Sequence, residues 1–161
     1  MDATQIAHNI RLAKADNARW LDCAQRMMMG EQVGKACIPS HQNSSPPYSW
    51  LYEHSSELNQ LYNGYDNKLE VDLFHFEIIE QIEMLRFTMD ENCLKIYKLC
   101  FPQRKNSFFF NLFHRNKKIT KFEAAEAQRY FQNMQQAVEA LDAMLDHLEQ
   151  SFGQLCKLTI S

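Results

Sequence analysis

Chain breakers are scarce here: four glycines and four prolines stand among 161 residues, about half to a third of ordinary usage. Sheet folds turn at short intervals and draw on both residues, so a many-stranded sandwich or barrel is excluded. No apolar run approaches the roughly 18 residues needed to cross a bilayer. The N-terminal Met1-Asp2-Ala3-Thr4 has no basic stretch, so no secretory leader is expected. C-x-x-C spacing is also missing. The five cysteines (Cys23, Cys37, Cys93, Cys100 and Cys156) are odd in number and scattered. Free thiols in a reducing cytoplasm are therefore expected in preference to a disulfide framework. With a net charge of −3, the chain has no global attraction to phosphate backbones, and no nucleic-acid partner is expected.

What is present is a single-domain length with 45% hydrophobic residues, enough to build a core. Between its breakers the chain has helical periodicity. A first helix is expected over about 4–29, where Ile6, Ile10, Ala13, Asn17, Trp20, Ala24 and Met27 alternate spacings of four and three. Gly30 stands ready to end it. A second is expected over 46–63, opened by Ser45-Pro46-Pro47. A third is expected over 67–100, along Val71, His75, Ile78, Ile82, Leu85, Met89, Ile96 and Leu99, with a bend expected at Met89–Asn92. It ends before Pro102. A fourth, over 121–152, begins with the capping box Thr120-x-x-Glu123. Its seam (Ala127, Phe131, Met134, Val138, Leu141, Leu145, Leu148, Phe152) repeats every seven residues. The fold class expected is all-α: an elongated antiparallel four-helix bundle, with a loop or short extra helix at 101–119 before the last long helix.

Polar residues interrupt these apolar seams. Asn17 lies between Ala13 and Trp20, His75 between Val71 and Ile78, and His54 faces inward on the second segment. A seam Asn or His on its own is ordinarily a satisfied core residue that fixes register. Three on separate helices point to a shared interior polar site.

Asn17-x-x-Trp20, then Ser45-x-x-Tyr48-x-Trp50-Leu51-Tyr52, then a helix bearing His75 resemble the bacterial chemoreceptor zinc-binding domain. That family carries H-x-x-W, then C-x-[LF]-G-x-W, then an H-x-x-x-H pair. The resemblance covers segments one to three in order and spacing. It implies a cytoplasmic sensory bundle, a homodimer, and attachment to signalling proteins such as chemoreceptors or diguanylate cyclases. Together with the seam residue His54, it implies a signal or ligand site at Asn17, Trp20, Ser45, Trp50, His54 and His75. The zinc ligands do not carry over. Asn17 stands at the first histidine, Ser45 at the cysteine and Tyr48 at the glycine, and only His75 survives of the last pair, opposite Val71. Zinc requires about four nitrogen or sulfur donors, so no cofactor is expected. A relocated zinc site would use Cys37, His41, His54 and His75, with Cys37-x-x-x-His41 as acceptable ligand spacing. The remaining cysteines are expected as small buried hydrophobes.

Enzymatic signatures are missing. No G-x-S-x-G, P-loop or dinucleotide fingerprint can be written. Glu70, Glu77, Glu80 and Glu83 lack the paired Glu-x-x-His of a di-iron bundle and are expected on a solvated face. A non-enzymatic protein is expected. The densest aromatic cluster, Phe108, Phe109, Phe110 and Phe113, lies among Arg115, Lys117 and Lys118. It reads as a plug at the bundle end, or as a partner surface for a helical adaptor or effector; a membrane surface is not expected.

Overall fold

The structure, a computed structural model, describes residues 1–39, 46–63, 74–102 and 120–158, the last five by backbone alone. Those residues are all-helical, with no strand among them. The helices are α1 (Ala3–Met28), α2 (Ser49–Glu53), α3 (Ser55–Asn63), α4 (Glu80–Cys100) and α5 (Lys121–Leu158). The 101–119 segment, with its four phenylalanines and basic residues, lies outside the described residues from 103 onward. So do Ser45, His41 and Val71.

Local chemistry sets the helix ends. Asp2 caps α1 and forms a reciprocal box with Gln5, which satisfies two orphan N–H groups. At the other end Gly30 adopts φ 80°, a left-handed conformation that glycine takes without a Cβ penalty. Its N–H bonds the Met27 carbonyl at 3.0 Å and the Glu31 N–H bonds that of Arg26 at 3.0 Å, the paired closure of a Schellman motif. Thr120 and Glu123 exchange hydrogen bonds at 3.1 and 2.9 Å, so the expected capping box opens α5.

Two expected helices are interrupted. The 46–63 segment is a 3₁₀ turn (Pro46–Tyr48), then α2, then α3, broken at His54, whose φ of −114° and ψ of 18° lie off the helical basin. No break occurs at Met89–Asn92. The irregularity lies instead at His75–Ile79, a π-helical turn leading into α4. A π turn inserts an extra residue into the helical register. The inward position therefore falls to Phe74, which is fully buried, and His75 is displaced to a half-buried site.

The core has two halves. In the first, Ile6, Ile10 and Ala13 of α1 meet Leu141, Leu145 and Leu148 of α5, Ile79 and Ile82, and Trp50, Leu51 and Leu58 of α2 and α3. In the second, Cys23, Ala24 and Met27 meet Met89, Cys93 and Ile96 of α4, Met134 and Val138 of α5, and Cys37. Each fully buried aliphatic side chain contributes roughly 1.5–3 kcal/mol. Paired contacts give directions. Lys14 meets Asp146 and Asn17 meets Asp142, so α1 and α5 run antiparallel. Asn92 meets Asn133 and Lys95 lies over Tyr130, so α4 and α5 do too. α2 and α3 lie against the first half of this core. Against the second lies the return stretch 31–39, which contains only a 3₁₀ turn at Lys35–Cys37.

One cysteine expectation is corrected. Cys23 and Cys37 are joined in a disulfide across 14 residues of sequence, although the scattered spacing predicted free thiols. The Schellman turn after α1 reverses the chain, so two cysteines distant in sequence return to contact. Nothing in their spacing shows this.

Candidate functional site

The interior polar site is built around Asn17. Its seam position on α1 leaves the side chain 0% exposed, and a buried amide is costly unless its donors and acceptor are paired. The Tyr48 hydroxyl donates to Asn17 Oδ1 at 2.9 Å, and Asn17 Nδ2 donates to Asp142 Oδ1 at 2.9 Å. One side chain thus ties α1 to the turn before α2 and to the middle of α5. The Arg86 guanidinium of α4 lies 4.5 Å from the centre of the Tyr48 ring, a cation–π contact that brings α4 into the same layer. Alongside it, the Tyr52 hydroxyl donates to Glu83 at 2.7 Å and the Tyr62 hydroxyl to Glu77 at 2.8 Å. Two acids of the expected solvated face are therefore held by tyrosines of α2 and α3.

The residues expected at this site are partly gathered. Asn17 and Trp50 are buried in it or beside it. Trp20 is half-buried under the Arg19 guanidinium, 4.5 Å from the ring centre, and packs on the other half of the core. His54 is not interior: it sits half-exposed at the α2–α3 break, with Nδ1 3.5 Å from Glu57. His75 makes an edge contact with the Phe76 ring. Tyr48, Asp142 and Arg86 were not among the expected site residues. The available signals were weak: Tyr48 stands two residues before Trp50, and Asp142 is adjacent to the Leu141 seam position.

Of the relocated zinc set, His41 lies outside the described residues, and Cys37, His54 and His75 are not gathered. Cys37 is bonded to Cys23, which removes its thiolate, and it packs in the opposite core half from the turn that carries His75. Among the described residues no three His, Cys, Asp or Glu side chains are grouped to hold a metal ion. The polar layer is also of the wrong character. Its unmatched buried atoms include Trp50 Nε1 and Arg86 Nε, both N–H donors with no lone pair to offer a cation. These residues do not fit zinc.

Burial pushes the Tyr48 phenol up to about 12, against the opposing effect of its bond to Asn17. Tyr52 is raised too, by burial first and then by its bond to Glu83. A raised phenol pKa means the folded state holds the proton more tightly than the unfolded chain. This stabilisation is complete below pH ~10, the unfolded value, and is lost as pH rises through about 12. An alkaline titration is expected to show the Tyr48 phenolate forming only with unfolding. Tyr48→Phe should make stability less dependent on pH above ~10. An unchanged alkaline profile in that variant would disprove the assignment.

Comparison with protein-family models, with curated proteins and with solved structures gave no match. Among the described residues no helix is long and apolar enough to cross a membrane.

Proposed function

We propose that this chain is a non-enzymatic regulatory domain of the chemoreceptor zinc-binding type, in which hydrogen bonds replace the metal. The observation that carries this reading is the Tyr48–Asn17–Asp142 chain. Asn17 occupies the family's first histidine position and Tyr48 its glycine position, and the two departures from the family pattern are bonded to each other. A hydroxyl reaching from the glycine position supplies what the missing imidazole and thiolate would otherwise have organised. In this reading the molecule is an antiparallel four-helix bundle whose second helix is broken into α2 and α3. It works in the cytoplasm as a homodimer, binds no cofactor, and regulates a signalling partner such as a chemoreceptor or diguanylate cyclase. A change at the polar layer shifts helix packing, and α5, 38 residues long, carries the shift along the bundle.

Hydrogen exchange on Tyr48→Phe tests the relay. Faster exchange is expected along α5 well beyond Asp142, as far as Met134. Change confined to 46–53 and the immediate neighbours of Asp142 would reject transmission through α5.

A helical adaptor is the second reading, favoured by one surface. Phe76, Met84 and Phe87 are 56%, 63% and 61% exposed on the outside of α4 and the turn before it. Light scattering of the purified chain separates the two readings. A dimer supports the sensory domain, and a monomer at high concentration supports the adaptor.

A further inference from the structure

Cysteines from three segments meet in the second core half: Cys23 of α1, Cys37 of the return stretch and Cys93 of α4. The first two are bonded, and the Cys93 thiol donates to the Cys37 carbonyl at 3.8 Å. α2 and α3 pack on the other half, so stretch 31–39 is the cover here. Its other attachments are Val33, half-buried against this core half, the buried Pro39, and two polar contacts. Arg19 Nη1 donates to the Ala36 carbonyl at 2.9 Å, and Arg26 pairs with Glu31 at 2.8 Å on the surface. Glu31, Gln32, Gly34, Lys35 and Ala36 are all exposed. A short segment with most of its middle exposed and little regular structure opens more readily than the helices, and the disulfide is the one covalent link holding this one down.

We infer that Cys23–Cys37 is a redox latch reducible by a dithiol, and that its opening lifts stretch 31–39 and uncovers Cys93. Cys37 is 8% exposed and Cys23 2%, so the reductant's thiolate attacks Cys37 Sγ as the stretch breathes. The Sγ–Sγ bond breaks with its electron pair on Cys23, which takes up a proton. The reductant's second thiol then attacks its own sulfur in the mixed disulfide and releases Cys37 as a thiol. The reductant leaves as a cyclic disulfide, so two electrons and two protons balance. Cys93 does not compete in this exchange: burial pushes its thiol up to about 12, and a protonated thiol is a poor nucleophile. The latch is independent of any signalling role. In a reducing cytoplasm a disulfide of this kind is redox-sensing more often than structural.

The test is alkylation of the full chain with N-ethylmaleimide, with and without prior reduction by dithiothreitol, followed by peptide mass spectrometry. Without reductant, Cys23, Cys37 and Cys93 should all be protected. After reduction all three should react. Cys100, the last residue of α4, buried in the same half and near Glu123, should stay protected and serve as the internal reference. Cys23 and Cys37 reacting without reductant would overturn the inference, because no disulfide would exist. Cys93 remaining protected after reduction would overturn it as well, leaving the disulfide a static staple. Cys100 reacting in step with Cys93 would show global unfolding in place of a local latch, which also contradicts it. Amide exchange after reduction should rise in 31–39 and stay low in α5.

Discussion

Tyr48→Ala is expected to lower the unfolding free energy by about 3–5 kcal/mol, the range for removing a large buried aromatic side chain. Two losses combine. The ring is fully buried and belongs to the first core half, so its removal leaves a cavity that the long helices cannot close. Its hydroxyl is also the donor to Asn17 Oδ1, which would be left buried without a partner. Tyr48→Phe separates the two effects by keeping the volume and removing only the hydroxyl. It should cost about 1–3 kcal/mol, the penalty for orphaning a buried acceptor. Urea unfolding of both variants checks this order. A Tyr48→Phe variant as stable as the parent would mean that Asn17 is satisfied by other groups and that the polar layer is not held by Tyr48.

Cys23→Ser should destabilise the chain by about 3 kcal/mol, the chain-entropy value for a loop of about 15 residues. The bond closes 14 residues of sequence, and freeing them restores conformational entropy to the unfolded chain. For a chain of this length the loss corresponds to a fall in Tm of roughly 6–12 °C. The parent protein in dithiothreitol should fall by a similar amount, whereas the variant should not respond to reductant at all. A parent Tm that is indifferent to dithiothreitol would show that the pair contributes nothing to stability.

The parts of this molecule that were legible in advance are those governed by local periodicity. The α5 seam from Ala127 to Phe152 is buried as its heptad predicts, except for the half-buried Phe131, and Gly30 and Thr120 act as helix signals because capping chemistry is short-range. Asn17 was legible for the same reason: a polar residue in an apolar seam stands out wherever the seam is regular. His75 misled because a π turn displaces the register, and nothing in a 3.6-residue pattern announces the extra residue. His54 misled because the second segment breaks at that residue, so an inward position became a half-exposed helix junction. The disulfide, Asp142 and Arg86 depend on which turns lie opposite each other, and that is decided by tertiary packing. Asn92 is a further buried polar residue of this kind. It donates to the Thr88 carbonyl and accepts from Asn133 of α5, in the stretch expected to bend.

In the proposed reading, hydrogen bonds among Tyr48, Asn17 and Asp142 hold the position of a zinc ion. Elemental analysis of the full chain, purified without chelators, tests it most directly. No stoichiometric zinc and a Tm unmoved by a chelator are expected. One zinc per chain, lost in His75→Ala while the variant stays folded, would contradict it.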